Sequence, residues 1–190
     1  MGHYAILGAS QPAGLFGSGP RPGHAWHPSK GVIIQDYAVI GSHAVIDDGT
    51  SIGAHSWIGS GVRIGHDSEI GSDVQIYYRA QIYDRVIIGP RAWIGGFICN
   101  DSIVEAESIV LGSLIHRFVD AKVGIPEEAP LVKNRAFVGH GATVIGGVTV
   151  GSRSYIAAGA VLLTDAQAGR LYAGVPARDV GPAPDPLTRD

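Results

Sequence analysis

Residues 58–71 read IGSGVRIGHDSEIG, with isoleucine at Ile58, Ile64 and Ile70 and glycine directly after each of the three. Followed outward in both directions, the six-residue step meets isoleucine eleven times in succession, and glycine follows seven of the eleven. A mostly small or β-branched residue stands four positions after each isoleucine. The chain therefore has an internal repeat of six residues. The repeated isoleucines are Ile34, Ile40, Ile46, Ile52, Ile58, Ile64, Ile70, Ile76, Ile82, Ile88 and Ile94.

A period of six does not match one face of a helix, because six steps of about 100° end about 120° from the start. The remaining solution is a coil of short strands that turns a corner every six residues. Each isoleucine then points inward and the residue four later packs near a corner. We expect the glycine after each isoleucine to allow the corner backbone dihedrals. Consecutive coils should lie about 4.8 Å apart.

This pattern resembles the hexapeptide-repeat acyltransferase family over roughly residues 31–180. The resemblance implies an all-β fold: a left-handed parallel β-helix of triangular section, with three hexapeptides in each coil. It also implies a homotrimer.

The repeat changes phase twice along the chain. It resumes at Ile98 after Ile94, which makes one coil two residues short, and again at Val132. Residues 115–131 are predicted to form one loop extruded from the coil. Long loops in compact folds tend to be functional. We therefore expect an N-terminal segment over residues 1–30, the β-helix with a short C-terminal extension over 31–180, and a flexible tail over 181–190.

Composition narrows the possible partners. The 190 residues carry a net charge of -3 and show no cluster of lysine and arginine, so neither nucleic acid nor a membrane surface is expected as a partner. Cys99 is the single cysteine, which excludes an internal disulfide. We find no signal peptide and no apolar run long enough for a membrane span, so the expected location is cytoplasmic.

His66 is the first candidate for a catalytic base. Residues 64–71, IGHDSEIG, resemble the stretch around the general base of lipid A UDP-N-acetylglucosamine O-acyltransferases and of bacillosamine-type N-acetyltransferases, which implies that His66 removes the acceptor's proton. One coil away in either direction stand Asp48 and Asp84, and Asn100 continues the same column. A carboxylate stacked on the imidazole would fix its tautomer and raise its basicity.

His116 is the second candidate, because it stands at the start of the predicted loop, as the base histidine does in the related maltose and xenobiotic acetyltransferases. It lies about three coils, or roughly 14 Å, from His66 on the same column. The sequence leaves the choice between the two histidines open.

Two further segments resemble substrate sites of the family. The middle of the chain is similar to nucleotide-sugar N-acetyltransferases that modify 3-amino sugars, although Tyr78 and Arg79 stand where those enzymes usually have two asparagines. We expect the acceptor to bind Tyr77, Tyr78, Arg79 and Tyr83.

The C-terminal coils resemble the coenzyme A end of the family, where small residues let the pantetheine lie along the prism and an arginine can pair with a phosphate. The residues implied are Gly139, His140, Gly141, Ala157, Ala158, Gly159, Ala177 and Arg178.

These observations predict an acyl-CoA-dependent N-acyltransferase that uses acetyl-CoA and no metal, and that acts on a nucleotide-linked amino sugar or a similar small polar amine. Two alternatives stay open. One is a γ-type carbonic anhydrase-like zinc enzyme, which needs three converging histidines, although the family's histidine pair five residues apart is absent. The other is a non-catalytic β-helix scaffold.

Overall fold

A computed structural model describes residues 6–9, 30–117 and 128–184. Every regular element in these ranges is a short β-strand. The strands are β1 (Ile6–Ala9), β2 (Ile33–Ile34), β3 (Val39–Ile40), β4 (Val45–Asp47), β5 (Ser51–Ile52), β6 (Trp57–Ile58), β7 (Arg63–Ile64), β8 (Glu69–Ile70), β9 (Gln75–Ile76), β10 (Gln81–Ile82), β11 (Ile87–Ile88), β12 (Trp93–Ile94), β13 (Phe97–Ile98), β14 (Ile103–Val104), β15 (Ile109–Val110), β16 (Ser113–Ile115), β17 (Leu131–Val132), β18 (Phe137–Val138), β19 (Thr143–Ile145), β20 (Thr149–Val150), β21 (Tyr155–Ile156), β22 (Val161–Leu162), β23 (Arg170–Ala173) and β24 (Arg178–Pro182).

The strands form three parallel sheets that make the three faces of a prism. Face one has the order β1-β4-β7-β10-β13-β16-β19-β22, face two the order β2-β5-β8-β11-β14-β17-β20, and face three the order β3-β6-β9-β12-β15-β18-β21-β23-β24. Along the unbroken repeat each strand pairs with the one 18 residues later, as Ile46 does with Ile64. The predicted left-handed parallel β-helix is confirmed.

The repeated isoleucines fill the inside of the prism. Ile46, Ile52, Ile58 and Ile64 are fully buried, so each coil stacks one branched side chain per face on the next. Buried hydroxyl residues occupy several of the positions four residues later, and their polar atoms are satisfied: Thr50 Oγ1 donates to the carbonyl of Gly65 at 2.7 Å. These hydrogen bonds satisfy the buried hydroxyl groups at the corners.

The expected role of the glycines is wrong. The residue with positive φ at the corners comes three positions after the inward residue, and at twelve corners it is not glycine; Asp67 (φ 54°) and Arg85 (φ 56°) are examples. The glycine directly after the isoleucine is required by close packing instead. A Cβ on Gly53 would lie 2.4 Å from the carbonyl carbon of Gly71 in the next coil. These glycines therefore let neighbouring coils approach, and they do not set the turn.

The phase change after Ile94 is present, and a second one accompanies it. Gln81 pairs with Phe97 sixteen residues later, and Phe97 pairs with Ser113 across the same interval. The second short step runs from Val110 to the buried Leu114, which the sequence analysis did not assign to the repeat.

The stems of the predicted loop leave and rejoin the prism at strands, because Ile115 ends β16 and Leu131 begins β17. Residues 118–127 lie outside the described part of the chain, as do 1–5, 10–29 and 185–190.

Both ends of the prism carry an additional strand. At the N-terminal end, β1 pairs in parallel with β4, so part of the predicted N-terminal segment extends face one. At the C-terminal end, β24 turns back antiparallel on β23 and continues to Pro182, two residues into the segment predicted as a tail.

Candidate active site on one edge of the prism

Five polar residues stack along the corner between faces one and two, and we call this column the histidine edge. Asp48, His66, Asp84, Asn100 and His116 each come two residues after an inward residue of face one. The coils bring them together because face one is in register: Ile64 pairs with Ile82, Ile82 with Ile98, and Ile98 with Leu114.

The His66 ring lies between two carboxylates. Its Nε2 is 3.1 Å from Oδ2 of Asp84, and its Nδ1 is 3.0 Å from Oδ2 of Asp67, the next residue in the chain. The hydrogen bond to Asp84 is the main cause of a raised pKa at His66, and partial burial opposes it. This residue has a stronger preference for the protonated form than a solvated histidine.

Asp84 is well placed to hold that ring. Its side chain is only 7% exposed, and Oδ1 accepts the main-chain N–H of His66 at 3.2 Å while Oδ2 faces the imidazole. Its own N–H donates to Oδ1 of Asn100 at 3.1 Å. Gly65 makes room for this carboxylate, because a Cβ there would lie 2.3 Å from Asp84 Oδ1.

The outer carboxylate, Asp67, is shared with a lysine. Lys30 Nζ donates to Oδ1 of Asp67, and this hydrogen bond is the main cause of a lowered pKa at Asp67. Asp48 accepts the main-chain N–H groups of Lys30 at 3.0 Å and Gly31 at 2.7 Å. The N-terminal end of the histidine edge therefore anchors the chain where it enters the first coil.

Asp47 is a buried acid that the sequence analysis missed. Its side chain is 4% exposed, Arg63 donates to Oδ2 at 3.2 Å, and Oδ1 has no hydrogen-bond partner among the described residues. Burial is the main cause of its raised pKa. The signal was available, because Asp47 occupies a position where most coils have glycine.

His116 closes the other end of the column. Its Nε2 is 2.9 Å from the main-chain carbonyl oxygen of Asn100, and the ring is partly buried. Only Arg117 follows before the described chain stops at the loop. The residues on either side of that loop, Arg117 and Glu128, pack directly on Gly146 and Gly147 of the next coil. A Cβ on Gly146 would lie 2.9 Å from Arg117, and a Cβ on Gly147 would lie 2.4 Å from Glu128.

The predicted acceptor residues separate into two places. Tyr83 lies beside Asp84 and its ring is 4.9 Å from that of Phe97 on face one. Tyr77, Tyr78 and Arg79 lie instead at the corner between faces three and one, where the Arg79 guanidinium stands 4.9 Å from the centre of the Tyr78 ring.

Tyr77 belongs to an aromatic cluster on face three. Its ring makes edge contacts with Trp57 at 6.3 Å and with Trp93 at 6.1 Å between centroids. These contacts hold the Tyr77 ring against the outside of the sheet.

Six of the predicted coenzyme residues occupy the corner between faces three and one, in two consecutive coils, and we call this corner the small-residue edge. Gly139 packs under Ala158, because a Cβ on Gly139 would lie 2.7 Å from the Ala158 nitrogen. His140, Gly141, Ala158 and Gly159 are exposed. The N–H of Gly159 already donates to the carbonyl of His140 in the preceding coil, so that amide is used in the contact between coils.

Arg178 begins β24 at this end of the molecule, and Ala177 directly precedes it. Ala177 is buried, and the exposed Arg178 donates from Nη1 to the Ala177 carbonyl at 3.0 Å. The small-residue edge and the histidine edge are different corners of the prism. A single chain therefore does not bring the predicted base and the predicted coenzyme residues to one corner.

The described ranges hold neither a metal-binding cluster nor a membrane-spanning helix. No group of three or more His, Cys, Asp or Glu side chains there could hold a metal ion. No helix of those ranges is long and apolar enough to cross a membrane.

Comparison with known proteins agrees with the coiled fold. The family model "Bacterial transferase hexapeptide (six repeats)" matches residues 49–83 and 130–164. Both matched segments lie within the coils of the prism. A protein of Schizosaccharomyces pombe with the provisional name serine acetyltransferase is 36% identical over 99 residues, which are 52% of this chain and 32% of that protein. The chain thus spans about a third of the length of this curated relative.

Solved structures are also similar to this chain. The hexapeptide transferase family protein from Anaplasma phagocytophilum matches 82% of this chain and 81% of its own, with 22% identity and a TM-score of 0.52. PerB from Caulobacter crescentus, solved with CoA and GDP-perosamine, matches 82% of this chain and 56% of its own, with 24% identity and a TM-score of 0.27. At these identities the first likeness concerns the fold alone.

Proposed function

We propose that this protein is an acyl-CoA-dependent N-acyltransferase that moves an acetyl group to the amine of a nucleotide-linked amino sugar or a similar small polar amine. The observation that carries the proposal is the histidine edge: two imidazoles, each held by an oxygen acceptor, on a coil of the transferase hexapeptide type. The name of the S. pombe relative supports acetyl transfer, while the choice of an amine rests on the sequence resemblance.

The chemistry needs one base and one place for the thioester. Coenzyme A supplies the acetyl group as a thioester. The acceptor nitrogen attacks the carbonyl carbon, a histidine of the edge takes the proton that the nitrogen loses, and the carbon–sulfur bond breaks as the sulfur leaves with a proton. Base catalysis of this kind typically contributes about 10² to 10⁴ in rate.

The small-residue edge suits an extended thiol carrier. Gly141 and Gly159 have open space within 4 Å of where a Cβ would stand, so the strip between them leaves the backbone accessible. Arg178 is exposed at the end of that strip and can pair with a phosphate.

Self-association completes the proposal, because the two edges lie apart in one chain. Eight consecutive outward positions of face three, which borders the small-residue edge, carry no charged side chain: Val39, Trp57, Gln75, Trp93, Ile109, Phe137, Tyr155 and Leu171. Such a charge-free stripe is typical of a surface that packs against another copy. A cyclic homotrimer brings different surfaces of neighbouring copies together. Contact between face three of one copy and the histidine edge of the next would set that edge near the small-residue edge, which borders face three. We place this assembly in the cytoplasm, where acetyl-CoA is available.

The experiment is a measurement of free-thiol release from acetyl-CoA with a panel of acceptors: nucleotide amino sugars, simple amino sugars and serine. We expect release that depends on an amino sugar, together with a trimeric mass in solution. Release with serine alone would overturn the acceptor class, and no release with any acceptor would overturn the proposed activity. Trp57→Glu should reduce both the trimer and the activity.

A further inference from the structure

The protonation states of the two histidines can be worked out from their partners. An ionised carboxylate accepts hydrogen bonds and cannot donate one, and the same holds for a main-chain carbonyl. Each nitrogen that faces such an oxygen must therefore carry a hydrogen.

His66 faces a carboxylate at both nitrogens, at 3.1 Å from Asp84 and 3.0 Å from Asp67. Both carboxyl groups also accept a hydrogen bond from another donor: Asp84 accepts the main-chain N–H of His66, and Asp67 accepts Lys30 Nζ. Both ring nitrogens then carry hydrogen, which makes the ring an imidazolium. Its raised pKa has the same cause.

Loss of a proton from His66 is opposed from both sides. It would leave a lone pair pointing at a carboxylate oxygen and would remove the ring donor from the buried Asp84. The other charges near the ring are Arg63 paired with Asp47, and Arg85 paired with Asp101 at 2.7 Å. Arg63 and Arg85 thus match Asp47 and Asp101, and His66 is the cation that matches Asp84. Asp48, one coil away on the same column, accepts the main-chain N–H groups of Lys30 and Gly31.

His116 differs in its partner. Its Nε2 donates to the neutral carbonyl of Asn100 at 2.9 Å, which a neutral imidazole does as well as a charged one. In the neutral ring, this hydrogen bond places the lone pair on Nδ1. A base needs a lone pair, so the carbonyl of Asn100 sets the tautomer that acyl transfer requires.

We propose that His116 is the base of the acyl transfer and that His66, although its sequence resembles a general-base motif, is a protonated positioning residue that holds Asp67 and Asp84. This inference rests on the proposed function for the role of His116, whereas the charge of His66 does not depend on it. His66 thereby ties the first coil and Lys30 to the histidine edge.

The first test reads the rings directly and needs no activity. Two-bond proton–nitrogen correlation spectra of the nitrogen-15-labelled full chain distinguish an imidazolium from each neutral tautomer, with His66→Asn and His116→Asn used for assignment. At about pH 7.5, above the ordinary histidine pKa of about 6.5, we expect both nitrogens of His66 to be protonated. For His116 we expect the neutral form to carry its hydrogen on Nε2. A neutral His66 would overturn the proposal.

The second test separates charge from basicity. His66→Lys keeps a cation and should retain kcat and stability better than His66→Asn, whereas His116→Asn should lower kcat by about 10² to 10⁴ while the KM for acetyl-CoA stays similar. His43→Asn is the matched control, because His43 also lies at a corner and asparagine tolerates its positive φ. A large loss of kcat in His66→Lys with none in His116→Asn would overturn the assignment. If the wild-type chain shows no turnover, the proposed function fails and the spectra still decide the state of His66.

Discussion

Gly53→Ala tests whether the glycine after each inward isoleucine serves close packing between coils. A Cβ at this position would lie 2.4 Å from the carbonyl carbon and 2.5 Å from the carbonyl oxygen of Gly71, and 2.6 Å from the nitrogen of Ser72. The shortest of these is about 1 Å less than an ordinary van der Waals contact of about 3.4 Å. All three atoms belong to the backbone of a hydrogen-bonded coil, so the coils must separate locally to admit the methyl group.

Overpacking of this kind costs about 1 to 3 kcal/mol. For a chain of this size, each kcal/mol lowers Tm by about 2 to 4 °C, so we expect a decrease of roughly 2 to 12 °C. The assay is thermal and urea unfolding followed by far-ultraviolet circular dichroism.

Gly169→Asn is the control for this substitution. Gly169 has a φ of 67° and nothing within 4 Å of a Cβ, and asparagine tolerates that backbone. Its stability should stay within about 0.5 kcal/mol of the wild-type chain. Equal stability of Gly53→Ala and wild type would refute the packing argument, and an equal loss in Gly169→Asn would refute the distinction between the two kinds of glycine.

Three further predictions follow from burial and charge. Ile64→Ala should cost about 2 to 5 kcal/mol in urea unfolding because Ile64 is fully buried, whereas Ile87→Ala, at an outward position 43% exposed, should cost well under half as much. The raised pKa of His66 stabilises the fold fully below the unfolded pKa of about 6.5, and this contribution is lost as pH rises through the folded pKa; the stability difference between wild type and His66→Asn should therefore shrink between about pH 6 and pH 9. Arg178→Ala should raise the KM for acetyl-CoA with kcat unchanged in steady-state assays, and an unchanged KM would contradict a phosphate contact.

The fold was accessible from the sequence because one geometric rule repeats. Inward isoleucines at a fixed step specify both the prism and its register, which also placed His66, Asp84, Asn100 and His116 in one column. The second short step, from Val110 to Leu114, was missed in the sequence analysis. Residues 115–131, which follow it directly, do not continue the six-residue repeat, so the sequence there does not show the change of phase.

The details of the site depend on side-chain directions that the repeat does not encode. Asp67 bonds the His66 ring because its corner backbone has a positive φ, and that conformation is not evident from residue type. Tyr83 and Tyr77 lie at different corners because Tyr83 follows a strand of face one and Tyr77 follows a strand of face three. Asp47 was missed because an acidic residue directly after an inward isoleucine is expected to be solvent-exposed at a corner, whereas Asp47 is buried.

The most direct measurement of the central claim is the identity of the product formed from acetyl-CoA and an amino-sugar acceptor, determined by mass spectrometry for the wild-type chain and His116→Ala side by side. The account predicts an acceptor acetylated on nitrogen in the wild-type reaction and a yield lower by about 10² or more in the variant. Free acetate without acetylated acceptor, or the same yield from both proteins, would contradict it.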